Sequence, residues 1–186
     1  MEQTTGLSVE HREEVTSNGM IKHIVFFSAT CLFPIIVRNN QYVLGTIINA
    51  LLVSGAMKLK SRKEITLLCI MPSISALMTG TVLGTLTPFL AWMIPFIWLG
   101  NLSMCHVLNA SKEMASRKMK AATIISAMGL KLLVVGIACV VLIEAGIMPS
   151  LLLPRFTTIQ VMTVGCGSTV AGLIQVLHTL KCKKTG

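Results

Sequence analysis

The chain has 186 residues, of which 53% are hydrophobic and 12% are charged, and its mean hydropathy is +0.77. About a quarter of the residues of a soluble domain are charged, so this composition excludes an ordinary soluble domain. A net charge of +9 would be compatible with binding to nucleic acid. The basic residues instead border apolar segments, where they anchor a chain against anionic lipid headgroups. We therefore expect a membrane protein with a lipid bilayer, and no nucleic acid, as its partner.

Six apolar stretches follow a polar N-terminal segment, and each is continuous rather than alternating, which favours helices over a β-barrel. Several approach the roughly 20 residues that cross about 30 Å of hydrocarbon. The second stretch is the weakest, because it is short and contains Gly45 and Asn49. The prediction is an all-α membrane protein with six transmembrane helices, at about residues 20–37, 42–57, 65–83, 89–108, 121–147 and 156–180.

The basic residues are concentrated in alternate loops. If the chain starts inside, the clusters at 58–63, 112–120 and 181–184 all face the cytoplasm, and 13 of the 16 lysines and arginines lie on that side. Basic loops resist translocation, so this asymmetry predicts that the N-terminus and the C-terminus are both cytoplasmic. The domain prediction is a disordered tail at 1–19, a six-helix transmembrane domain at 20–180 and a basic tail at 181–186.

Motifs for catalysis are missing from the sequence. The chain has no aspartate, and Glu144 is the acidic residue closest to membrane depth. Magnesium-dependent phosphotransfer usually needs several carboxylates, and the sequence has no P-loop. The cysteines form no Cys-x-x-Cys pair that would indicate a dithiol or zinc site. We expect no enzyme activity, no cofactor and no metal.

Lys131 is the charged residue deepest in a predicted span. It lies ten residues into the fifth helix, about 15 Å from the inner end at 1.5 Å per residue. We expect that a lysine at that depth does not face lipid, since a charge in hydrocarbon is costly. Asn101 and Asn49 are predicted at a similar depth, and either could offer an oxygen. Two interpretations remain open: a structural hydrogen bond between helices, and a cavity or coupling site.

A second polar group is predicted at the outer ends of the helices. There, arginine would hold an anionic or carbonyl group, amides would fix its orientation, and Trp92 would stack on a planar ring. Glu144 would instead suit a cation, so the sign of the ligand stays open. The alternative is an ordinary polar loop beside interfacial aromatic residues. The predicted substrate-binding residues are Arg38, Asn39, Asn40, Trp92, Glu144, Arg155 and Gln160.

Three stretches resemble small prokaryotic membrane proteins that serve as the substrate-binding S component of energy-coupling factor (ECF) transporters. They are GTIINALL at 45–52, MPSISALMTG at 71–80 and PFLAWMIPFIWLGN at 88–101. The resemblance extends to size, helix number and topology over about residues 20–180. It implies a multi-pass protein of the prokaryotic cytoplasmic membrane that binds a vitamin-like micronutrient near the outer surface. It also implies two kinds of partner, a transmembrane T component and cytoplasmic ATPases.

The sequence thus predicts a non-enzymatic subunit that binds a small water-soluble micronutrient for uptake. A first alternative is a self-sufficient small-solute transporter or channel, in which Lys131 would be the coupling residue. A second is a structural membrane assembly protein, whose polar residues only hold helices together.

Overall fold

The chain is helical throughout the part that the structure describes. The computed structural model describes residues 24–37, 40–59, 61–79, 87–114 and 116–184, and these contain no β-strand. A 3-10 turn, Ser111–Glu113, follows the fourth helix. The α-helices are α1 (Ile24–Ile36), α2 (Gln41–Lys58), α3 (Arg62–Thr79), α4 (Thr87–Ala110), α5 (Arg117–Glu144) and α6 (Leu152–Lys184).

Within the residues that the structure describes, three helices contain segments long and apolar enough to cross a membrane. The segments are Pro88–Ala110, Lys118–Glu144 and Leu152–Ile174, in α4, α5 and α6. Helix α1 is apolar but shorter. The all-helical class predicted from the continuous apolar stretches is confirmed for the described residues, and membrane association follows from the length and apolar character of α4, α5 and α6.

Local sequence explains several helix ends. The Oδ1 atom of Asn40 accepts a hydrogen bond from the backbone N–H of Val43 at 3.1 Å, which is an N-cap that fixes the start of α2. Helix α5 ends in a turn at Gly146, whose φ of +70° suits a residue without a Cβ atom. The N–H of Ile147 then reaches back to the carbonyl of Leu142 at 3.0 Å. This C-terminal cap turns the chain directly into α6.

The core has two parts. The first lies near the C-terminal halves of α2 and α4 and the N-terminal halves of α3 and α5, and includes Leu52, Ala56, Leu68, Met104 and Ala127. The second packs α4 against the end of α5 and the start of α6, and includes Met93, Val135, Cys139, Leu142, Leu152 and Phe156. Between α2, α3, α4 and α6, at the end where α1 and α3 finish, the packing is incomplete and leaves a cavity.

The basic loops at the opposite end are tied to the helices. The Nζ atom of Lys112 donates to the carbonyl of Leu59 at 2.6 Å and so links the 3-10 turn to the α2–α3 connection. The Nζ atom of Lys58 lies 6.0 Å from the ring centroid of Phe26. Both lysines thus hold their charged group at this end of the bundle.

Glycine allows α2 and α6 to approach each other closely. A Cβ atom on Gly167 would lie 2.6 Å from the Cβ of Asn49 and 2.7 Å from the carbonyl oxygen of Thr46, so no side chain fits there. A Cβ atom on Gly165 or on Gly172 would have no neighbour within 4 Å among the described residues, so these two glycines are not crowded. The small-residue stretch at 165–172 therefore packs inside the molecule through Gly167.

Candidate functional site

A cavity lies between the helices of the bundle. Its volume is about 140 Å³, and its walls come mainly from α2, α3, α4 and α6. It extends from Gln41, the first residue of α2, to Asn49, a distance of about 12 Å along that helix. Lys131 of α5 and Asn101 of α4 also line it. The cavity therefore begins near one end of the bundle and reaches the middle.

Lys131 and Asn49 form the polar centre of this cavity. Lys131 is 3% exposed, and its Nζ atom donates a hydrogen bond to Asn49 Oδ1 at 2.5 Å. The Nδ2 atom of Asn49 donates to the carbonyl of Gly45 at 2.8 Å and to Thr163 Oγ1 at 3.3 Å. A backbone carbonyl can only accept, so the contact with Gly45 fixes which end of the Asn49 amide faces Lys131. One asparagine thus joins α2, α5 and α6.

Lys131 packs against α4 at Gly100. A Cβ atom at Gly100 would lie 3.4 Å from both Lys131 Cγ and the Lys131 carbonyl oxygen. These are ordinary van der Waals distances, so α4 and α5 are in contact at this level, and the neighbouring Asn101 lines the same cavity as the lysine. The sequence predicted either Asn49 or Asn101 as the partner of Lys131. The structure gives the hydrogen bond to Asn49.

Two amide oxygens beside the cavity have no hydrogen-bond partner in the described part of the chain. Asn101 is 3% exposed, its Nδ2 atom donates to the carbonyl of Cys69 at 3.5 Å, and its Oδ1 atom is unpartnered. The Oε1 atom of Gln160 is likewise buried and unpartnered. Both residues line the cavity. An unsatisfied buried acceptor is costly. Both oxygens have almost no surface open to the cavity, so a donor in the cavity can reach them only after the amide side chains rotate.

The charge in the cavity is positive. Lys131 is the one charged side chain among the lining residues that the structure describes. Glu144 is exposed and lies thirteen residues further along α5, about 20 Å away, so it cannot neutralise Lys131. The remaining polar lining consists of amides and hydroxyls from Gln41, Ser73 and Thr163. The cavity can therefore form hydrogen bonds with a small organic molecule as donor and as acceptor, and none of its described lining residues carries a carboxylate.

The predicted outer site is only partly reflected in this cavity. Gln160 lines it, together with Lys131, Asn101 and Asn49. Asn40 is exposed and caps α2, while Glu144 and Arg155 are exposed near the α5–α6 turn. Arg38 and Asn39 lie outside the described residues. No contact in the described residues gathers the predicted set around one pocket.

Trp92 lies on the wrong face of α4 to reach the cavity. Its side chain is 58% exposed, whereas Leu90, Ile97 and Asn101 of the same helix line the cavity. With 3.6 residues per turn, Trp92 is rotated by about 200° from Leu90. A stacking role in this cavity is thus unsupported, and the exposed ring suits an interfacial position instead.

Sequence reasoning missed Thr163 and Ser73, which also line the cavity. A usable signal was present, because Gln160 and Thr163 are three residues apart and therefore lie on one face of a helix. Asn49 and Gly45 show the same kind of spacing on α2. Polar and small residues one turn apart on two helices indicate where those helices face each other.

The donor set of the cavity does not suit a metal. Among the described residues, no group of three histidine, cysteine, aspartate or glutamate side chains could hold a metal ion. The amine, amides and hydroxyls of the cavity are suited to hydrogen bonds with an organic solute.

No family model, curated protein or solved structure matches this chain.

Proposed function

We propose that the protein is a membrane subunit that binds a small water-soluble micronutrient for uptake, together with a transmembrane coupling protein and cytoplasmic ATPases. The observation that carries the proposal is the cavity around Lys131, which combines buried polar groups with an apolar wall. Small-molecule sites have this composition, with a few placed polar groups in a mainly apolar pocket. The two kinds of partner are proposed from the resemblance of the sequence to ECF S components.

The proposal includes six transmembrane spans with both termini in the cytoplasm. Helices α2 and α3 each have 18 residues and are about 27 Å long, close to the roughly 30 Å thickness of the hydrocarbon core. The 13 basic residues assigned to the inner side give the orientation. In that orientation, the end of the bundle where α2 and α6 begin faces outward, and the cavity lies on the side from which a nutrient arrives.

The topology can be tested with single cysteine substitutions. Cysteines introduced at Ser61 and Ser116 are expected to react only with membrane-permeant thiol reagents, because both lie in basic loops assigned to the inside. A cysteine at Asn40 is expected to react with an impermeant reagent added to intact cells. The parent protein, treated in parallel, gives the background from the native cysteines. Labelling of the cysteine at position 61 by the impermeant reagent would show that the orientation is the opposite of the proposed one.

Purification of the tagged protein from its native membranes tests both the proposed protein partners and the proposed binding of a small compound. We expect a second integral membrane protein and ATPase subunits to co-purify, and a small compound to be released when the sample is denatured. Ile97→Trp should fill the cavity and reduce the released compound at least tenfold. Leu99→Trp is the matched control, because Leu99 is 54% exposed two residues along the same helix.

The outcomes separate the proposal from its alternatives. A released compound whose amount does not change in Ile97→Trp would place the binding site elsewhere. A protein that purifies without ATPases, and that carries solute across proteoliposomes alone, would favour the self-sufficient transporter. That alternative draws on one observation, the position of buried Lys131 at the inner limit of the cavity. A stable homo-oligomer with no bound compound would favour the structural role.

A further inference from the structure

We propose that the occupant of the cavity is a small ring-sized carboxylate with at least one N–H or O–H donor. Its carboxylate faces Lys131, and its donor faces the unpartnered oxygens of Asn101 and Gln160. The inference rests on the proposed function in one respect, namely that the cavity is the binding site. It fixes the sign of the ligand, which the sequence left open.

The first argument is the charge balance at Lys131. A buried charge is costly unless it is paired with an opposite charge and hydrogen-bonded. In the described residues, the one acceptor of Lys131 is the neutral amide oxygen of Asn49. A lysine ammonium carries three donors, so two remain for another acceptor. A carboxylate supplies both the missing negative charge and the acceptors, whereas a cationic ligand would add a second positive charge.

The second argument is the direction of the remaining hydrogen bonds. Asn101 Oδ1 and Gln160 Oε1 can only accept, and both are buried without a partner in the described part of the chain. The Nδ2 atom of Asn101 faces the carbonyl of Cys69 at 3.5 Å, and a carbonyl cannot donate, so this contact assigns the amide oxygen to the other side. A ligand that carried acceptors alone would leave both oxygens unsatisfied. A donor on the ligand would satisfy these oxygens once the amide side chains rotate toward the cavity, so the proposed molecule carries a donor in addition to its carboxylate.

The third argument is size and shape. A volume of about 140 Å³ is close to that of a cavity that accommodates benzene. The apolar part of the wall comes from Leu44, Ile48, Leu90, Ile97 and Phe156. One six-membered ring matches this space, whereas a whole nucleotide, peptide or lipid chain does not fit inside it. The class is thus a compact ring with one carboxylate and one donor.

A panel of benzene derivatives tests the inference in the full-length purified protein. The probes are benzoate, 4-aminobenzoate, benzamide and benzylammonium, titrated by calorimetry at pH 7 after removal of any bound compound. We expect both carboxylates to bind at least tenfold more tightly than benzamide, and benzylammonium not to bind. The amino group should make 4-aminobenzoate the tightest of the four, because it donates to the free amide oxygens.

Two variants, each checked for a monodisperse fold, connect the preference to Lys131. Lys131→Met is expected to remove the preference for carboxylates over benzamide. Asn49→Asp keeps the lysine and supplies a carboxylate from the protein itself, so benzoate affinity should fall at least tenfold. If Lys131→Met does not fold, Asn49→Asp still decides the question. Unchanged benzoate binding in a folded variant would overturn the role of Lys131.

Failure of this inference can be distinguished from failure of the proposed function. If benzamide or benzylammonium binds as well as benzoate, or if no member of the panel binds, the carboxylate class is wrong. The proposed function then still stands, provided that Ile97→Trp abolishes release of the native compound. If release is unaffected by Ile97→Trp, the cavity is not the binding site and both proposals fail together.

Discussion

Replacing Lys131 with glutamate is expected to eliminate most of the folded protein, whereas replacing it with methionine is expected to preserve the fold at reduced stability. Methionine matches the length of the lysine stem but leaves Asn49 Oδ1 without its donor, which costs about 1–3 kcal/mol. Glutamate places a buried carboxylate against that same oxygen, and both Nδ2 hydrogens of Asn49 already face Gly45 and Thr163. The added loss is several kcal/mol, a large part of a typical stability of about 5–15 kcal/mol.

The measurement is the yield of monodisperse protein after extraction in mild detergent. Lys118→Glu is the matched control, because Lys118 is exposed in the first turn of the same helix, where a negative charge suits the helix dipole. It should leave the yield near that of the parent. Equal yields for Lys131→Glu and Lys131→Met would mean that the site is open to water, and would contradict its burial in the bundle.

A double-mutant cycle isolates the contact itself. Lys131→Met and Asn49→Leu each remove one side of the hydrogen bond and leave the other unsatisfied, so the combined variant should lose less stability than the sum of the two. We expect a coupling of about 0.5–3 kcal/mol, as found for residues in direct contact. Additive losses would show that the two side chains do not interact in the folded protein.

The helices were largely predictable because apolar length and short polar breaks are local properties of the sequence. The stretch 42–57 corresponds to α2, Gln41–Lys58, and 89–108 corresponds to α4, Thr87–Ala110. The weakest predicted span, around Gly45 and Asn49, is a continuous helix, since those residues face α6 rather than lipid. The six spans and their orientation stay predictions, because they rest on the charge pattern of the loops.

The contents of the site were less predictable, because they depend on how each helix is rotated about its axis. The sequence predicted that Lys131 needs an acceptor and offered either Asn49 or Asn101, and the structure was required to identify Asn49. The side of α4 on which Trp92 lies could not be predicted from the sequence. Apolar residues occur on nearly every face of this helix, so the pattern does not show which face points into the bundle. Gln160 was found as an outer polar residue, but its contact with the same cavity as Lys131 required the tertiary structure.

The second large effect is expected at Gly167, where α6 meets α2. Gly167→Ala would place a methyl group 2.6 Å from Asn49 Cβ, 2.7 Å from the Thr46 carbonyl oxygen and 2.9 Å from the Ala50 backbone nitrogen. Two of these atoms belong to the backbone, so relief requires that the whole helix move. Overpacking of this kind costs about 1–3 kcal/mol. The displacement also moves Asn49, and with it the hydrogen bond to Lys131.

Gly165→Ala is the matched control, because it makes the same change two residues earlier in α6, at a position with nothing within 4 Å. Alanine favours a helix over glycine by up to about 1 kcal/mol, so Gly165→Ala should be neutral or stabilising. The comparison of thermal unfolding in detergent therefore separates crowding from helix propensity. Gly167→Ala should lower the unfolding temperature and weaken binding of the compound released from the parent, since the cavity wall moves with α2. A Gly167→Ala protein as stable as Gly165→Ala would contradict the close packing of α2 against α6, and with it the position of Asn49 beside Lys131.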